Sequence, residues 1–250
     1  MEKLKTVPLK KTILSLLIVS VFFFSCRKEE HTLIEQLNQR IIEETCLPQF
    51  INPDLRSYPC DSLVAVSYTL KHCGLLPLSR KNYWIYEDSI FNDGVLAKVQ
   101  FDTLRFENVY RSPDGLIWWE PNVFIGFPEK LYANDSAIFM AVPRPYSTNC
   151  ILDVKKEYSL FDGDSLRYLA HFEDDYAAAG RSVKLDNVEV PAGSFNDCIL
   201  FDKNARSFRH DQLYFKPGLG VIKYIQEKAP MGTPFVKLQQ ISTLIKFHLE

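Results

Sequence analysis

No Cys-x-x-Cys pair, no His-x-x-x-His and no Gly-x-Ser-x-Gly occurs in the 250 residues. The first absence removes support for a zinc ribbon or a thioredoxin-type redox site, the second for a paired-histidine metal motif, and the third for a hydrolase nucleophile elbow. Gly218-Leu219-Gly220 follows one strand-like run and leads into another rather than into a helix, so no phosphate-cradling loop is written either. Glycine is scarce, at 10 residues, and no repeat of fixed period stands out, which argues against low complexity and solenoids. An excess of positive charge is also missing. The first 25 residues carry four of the 29 basic side chains and one of the 31 acidic ones, leaving 25 against 30 in the remainder. Nucleic acid is therefore a poor partner. No apolar run reaches the roughly 20 residues that a membrane-spanning helix needs.

What is present begins with Lys3, Lys5, Lys10 and Lys11, then the apolar run from Ile13 to Phe24, then Ser25-Cys26. A charged start, an apolar stretch of about a dozen residues and a small residue before cleavage make a secretion signal. Phe23-Phe24-Ser25-Cys26 resembles the lipobox of bacterial lipoproteins, with Phe23 where leucine is usual. The resemblance implies that the Cys26 thiol takes a diacylglycerol and becomes the first mature residue. The charged stretch Arg27-Lys28-Glu29-Glu30 resembles a surface-export tag. The alternative is an ordinary secretory signal with a chance cysteine. The expected organisation is a signal over 1–25, a tether over 26–31 and a single β-rich domain over 32–250. The expected location is the cell envelope, as an outer-membrane lipoprotein facing either the periplasm or the exterior.

Five cysteines follow Cys26, and an odd number leaves at least one thiol unpaired in an oxidising compartment. Cys46 and Cys60 bracket a proline-rich turn and are the candidate local disulfide. Thr32-Leu33-Ile34-Glu35 fits a capping box, and Leu33, Ile34, Leu37, Ile41 and Ile42 share a face, so a short amphipathic helix is expected before Pro48. A further short helix is expected around Ser62 to His72. From Asn82 onward, short runs rich in aromatic and β-branched residues alternate with turn signals at Asn92-Asp93-Gly94, Ser112-Pro113-Asp114-Gly115 and Phe161-Asp162-Gly163-Asp164. Val95, Ala97, Val99 and Phe101 alternate with more polar neighbours, which predicts a strand with its apolar side covered. Later strands are expected over 182–190, 195–202, 212–215, 221–226 and 235–249. The fold class is mainly β: an antiparallel curled sheet, half-barrel or barrel.

Val190-Pro191-Ala192-Gly193-Ser194-Phe195-Asn196-Asp197-Cys198 and Tyr214-Phe215-Lys216-Pro217-Gly218-Leu219-Gly220-Val221-Ile222-Lys223 resemble paired signatures of envelope lipoproteins. These are similar in character to the LolA/LolB and LppX group. The resemblance covers about 180–249 and implies an unclosed β half-barrel that holds lipid against its concave face. Its motifs are turn-forming rather than chemical, since Pro191-Ala192-Gly193 and Pro217-Gly218 make turns in any family.

Candidate sites are few. The aromatic stretch from Tyr83 to Phe127 either fills the interior or lines an apolar cavity, with Trp84, Phe101, Trp118 and Trp119 the candidate ligand contacts. Neighbours on a strand point to opposite faces, so one of the indoles of Trp118 and Trp119 is expected on an exposed rim. His171, Glu173 and Asp175 share one face if their stretch is a strand, an arrangement that a metal or an acid/base pair could use; a solvated strand face or a loop is the plainer reading, since no further ligand has a recognised spacing. Lys203, Arg206, Arg209, His210 and Lys216 either hold an anionic group or make a solvated loop. Catalytic residues, metal and cofactor are all expected to be absent. The functional expectation is a non-enzymatic, membrane-tethered protein binding an apolar or lipid-like molecule, or else an accessory subunit of an envelope complex.

Overall fold

The computed structural model describes residues 47–48, 51–145, 148–160, 165–172, 177–230 and 233–250. All belong to the unit Cys46–Glu250. The expected N-terminal helix, Cys26, Cys46, Glu173, Asp175 and the turn at 161–164 lie outside them.

Seventeen strands run through the described residues. The first four are short: β1 (Leu47–Pro48), β2 (Ser57–Pro59), β3 (Val64–Ala65) and β4 (His72–Cys73). Next come β5 (Tyr83–Asn92), β6 (Val95–Leu104), β7 (Phe106–Arg111), β8 (Ile117–Pro121), β9 (Leu131–Ala133) and β10 (Ala137–Pro143). The last seven are β11 (Ile151–Ser159), β12 (Ser165–His171), β13 (Ala177–Val190), β14 (Gly193–Ala205), β15 (Arg209–Lys216), β16 (Gly220–Lys228) and β17 (Lys237–His248).

Two antiparallel sheets hold most of the chain. The larger orders β12-β13-β14-β15-β16-β17-β5-β6, a meander whose last strand returns to pair with β5, and it curls into a half-barrel. The smaller orders β2-β11-β10-β9-β8-β7-β3. Arg56 and the Tyr58 hydroxyl both reach Asp114 in the β7–β8 turn, drawing the edge at β2 toward the far side of its own sheet. The turns fall where the sequence places them. Asp93 and Gly94 both have positive φ, at 55° and 82°, which is the two-residue hairpin geometry that Asn-Asp-Gly favours.

The smaller sheet is buried on both faces. One face gives Val109, Trp119, Leu131, Ile138 and Tyr158 to the main core, where they meet Trp84, Tyr86, Phe201, Phe215 and Tyr224 of the half-barrel. Its other face closes around Tyr58, Leu63, Trp118, Tyr132, Phe139 and Val154. Trp118 and Trp119 are therefore both 0% exposed, and neither indole reaches the expected rim. They do point to opposite faces, but each face has a core of its own.

Three more expectations are corrected. Cys60 bonds to Cys150, 90 positions away, and not to Cys46; the Cys60 N–H also donates to the Cys150 carbonyl at 3.1 Å, because Pro59 pairs with Ile151. The stretch after Ser62 is extended: β3 pairs with β7 and Leu63 enters the second core. The apolar row of β6 is uncovered, since β6 ends its sheet and the core lies on the face of Leu104 and Tyr86.

Candidate functional site

The four aromatics expected to line a cavity do not share a wall. Trp84 donates its indole N–H to the Leu219 carbonyl at 2.8 Å and packs edge-on against Phe106. Trp119 packs against Tyr68 and His72, whereas Trp118 meets Tyr58 and Tyr132 in the other core. Phe101 stands 65% exposed on β6. An apolar cleft of about 310 Å³ does exist, elsewhere, walled by Val123, Phe124, Phe127, Pro128, Val142 and Pro143. The 121–130 segment forming it is held down at Gly126: the Tyr158 hydroxyl donates to the Gly126 carbonyl at 2.6 Å, and a Cβ there would stand 2.6 Å from Leu213.

The basic cluster is not a patch. The Lys203 ammonium lies 2.6 Å from Glu157, and Arg209 grips Asp211 through two bonds of 2.8 and 2.7 Å, all four side chains being buried. Lys216 sits at the other end of its strand, donating to the Asn196 carbonyl. His210 lies between Asp202 and Glu227; its bonds to Asp202 and then Glu227 outweigh burial and raise its pKa to about 9. Lys203 and Arg209 are used inside the sheet, His210 and Lys216 are half-buried and tied to neighbouring strands, and Arg206 is exposed. The His171 carbonyl accepts from Lys203 at 3.2 Å; the rest of its trio lies outside the described residues. Among the described residues no three His, Cys, Asp or Glu side chains gather as metal ligands.

The open edge of the half-barrel is the feature that sequence reasoning missed. Val95, Leu96, Val99 and Phe101 are 71, 54, 50 and 65% exposed along one ten-residue strand that pairs only with β5 among the described residues. Long apolar edges are normally blunted by shortening, charge or proline. Here Lys98 is the one full charge in the exposed stretch.

On the inner side the edge carries Gln100 and Asp102, with the Gln100 amide donating to Asp102 at 2.6 Å. Asp88 of β5 lies directly opposite Gln100, flanked across the sheet by Ser242. Burial, with Asp102 adding to it against the help of Ser242 and Gln240, raises the Asp88 carboxyl to about 7. In the unfolded chain the same group titrates near 3.8. Between these values the unfolded state has released its proton and the folded state has not, so stability falls as pH rises from about 4 to about 7 and levels off above. Asp88→Asn should flatten that slope and raise stability at about pH 8 by a few kcal/mol. Urea midpoints of both proteins across this range check it; parallel curves would discard the assignment.

No family model matches the chain, and no curated protein matches it. A solved structure described as a "putative lipoprotein" from Parabacteroides distasonis ATCC 8503 aligns over 70% of this chain and 99% of its own, with 12% identity and a TM-score of 0.30. A likeness of that size carries no weight for fold or function.

Proposed function

We propose that this chain is a lipoprotein of the outer membrane, tethered through a diacylglycerol on Cys26, that performs no chemistry and works as an accessory subunit of an envelope complex. It docks by adding a partner's extended strand to the open edge of its half-barrel. The observation that carries docking is β6, where unpaired backbone and four exposed apolar side chains coincide. The anchor rests on the charged start, the apolar run and the Ser25-Cys26 junction.

An apolar or lipid-like ligand is the second reading, favoured by the cleft at Phe124 and Val142. At about 310 Å³ it stands at the lower limit of ligand pockets, which run from roughly 300 to 1,000 Å³. The four aromatics expected to line a cavity support it less, because Trp84, Trp118 and Trp119 are spent on two packed cores and Phe101 stands exposed at the sheet edge. Uptake of a fatty-acid-like probe by the delipidated protein separates the two readings.

The primary reading is tested in two arms. Cys26→Ser should move the protein from the membrane to the soluble fraction, and mass spectrometry should find acyl chains on wild-type Cys26. In-cell cross-linking should trap a defined adduct with wild type but not with Val99→Pro, which blocks the edge and removes an outward N–H. An unacylated Cys26 sinks the anchor, and an adduct indifferent to Val99→Pro sinks the edge.

A further inference from the structure

We propose that the strand docking on β6 is β6 of a second copy of this chain, paired antiparallel about a two-fold axis at Gln100, so that two half-barrel sheets run on as one. This rests on the reading of β6 as a docking edge and names its occupant.

The backbone is positioned for it. The Thr103 carbonyl accepts from the Asn122 amide at 3.0 Å, and the Arg105 N–H donates to the Asn122 side chain at 2.7 Å, so both residues direct their polar groups away from β5. In an antiparallel ladder every second residue points the same way. Phe101 and Val99 therefore offer N–H and C=O to the open edge, back to the irregularity between Ile90 and Phe91.

The side chains choose the register. Pairing about Gln100 sets Lys98 opposite Asp102 of the second copy, and the symmetry repeats the ion pair. It sets Val99 opposite Phe101 twice, both of them exposed. Opposite charges and aromatic–β-branched neighbours are the cross-strand pairs that stabilise sheets. The alternatives are poorer: an axis at Lys98 places two ammonium groups face to face, and an axis at Val99 sets Lys98 against the neutral Gln100 instead of Asp102. The acidic couple Asp88–Asp102 is lined by Ser242, Gln240 and Gln100, which are all neutral. Lys98 of the second copy would supply a cation. The surface is self-complementary, which a closed two-fold dimer requires. A lipid tether would hold copies in one plane and raise their effective concentration.

The test uses the full-length protein in cells and in detergent extracts. Gln100→Cys, on the axis, should form a disulfide-linked homodimer, while Val95→Cys, far from the axis, should not. Lys98→Asp and Asp102→Lys should each weaken self-association about tenfold. Expressed together, the two charge variants should pair with one another, since every reversed side chain then meets an opposite charge on the other copy. Circular dichroism confirms that each variant is folded. A homodimer linked through Val95→Cys and not Gln100→Cys, or no recovery on mixing the charge variants, overturns the register. A Gln100→Cys adduct with a different protein overturns the second copy while leaving the docking edge standing. No adduct of any kind removes both.

Discussion

Replacing Cys60 and Cys150 together with serine is expected to lower the unfolding free energy by about 4 to 5 kcal/mol. The bond closes a loop of 90 positions, long enough for the cross-link to remove a large share of the freedom of the unfolded chain. Within that loop lie the strands from β3 to β10, including most of the smaller sheet and the β5–β6 hairpin. In the folded state the two cysteines stand side by side through the β2–β11 pairing, so their removal deletes little native contact. The loss should therefore come from a looser unfolded state and appear as faster unfolding only in part. Chemical denaturation of wild type, the double variant and the reduced wild type measures it. A loss under about 1 kcal/mol would mean that the unfolded chain is already compact around this loop.

The same bond shows where sequence reasoning stops. Turn chemistry is local, so the hairpins at Asp93-Gly94, Pro191-Ala192 and Pro217-Gly218 were readable from a few residues each. The five long strands after 177 follow from such turns and from alternation. Pairings that join distant segments leave no local trace: Cys60 with Cys150, β17 with β5, and β2 with β11 are set by how the sheets curl. Cysteine spacing favoured a neighbour for Cys60 because loop length alone says nothing about which Cα atoms meet.

Faces were harder than strands. Alternation along Val95 to Phe101 marks an apolar side, but whether that side is core or surface depends on where the strand sits in its sheet. An edge position turned the row outward. Conversely, Trp118 and Trp119 point oppositely as their adjacency demands, yet the smaller sheet has a core on each side. The basic residues from Lys203 to Lys216 looked like a surface cluster because the acidic partners of Lys203 and His210, Glu157 above all, lie on other strands, and nothing in the sequence shows that Arg209 and its near neighbour Asp211 are buried together. The candidate site was legible only as a list of apolar residues. Its exposure and its self-complementary order emerged when the sheet order was known.

Lys203→Met should be among the costliest single substitutions in the domain, at about 3 to 5 kcal/mol. Its ammonium, on β14, is 1% exposed and reaches across to Glu157 on β11, so the ion pair joins the two sheets through their interior. The rings of Tyr158 and Phe172 cover it, at 5.1 and 4.6 Å. Removing the cation takes the ammonium from a carboxylate that was desolvated in its company, and the cost is mainly that of the lost compensation for burial rather than the worth of the pair. Glu157→Gln should be damaging for the converse reason. The double variant Lys203→Met, Glu157→Met removes both charges and fills the space with apolar atoms, so it should recover most of the loss. A double-mutant cycle by denaturation would then show strong non-additivity. Additive losses would imply that each charge is stabilised by its other neighbours and that the sheets are held in register by apolar packing alone. With the expected coupling, the pair acts less as a source of stability than as a lock, penalising any packing of the two sheets in which Lys203 and Glu157 do not meet.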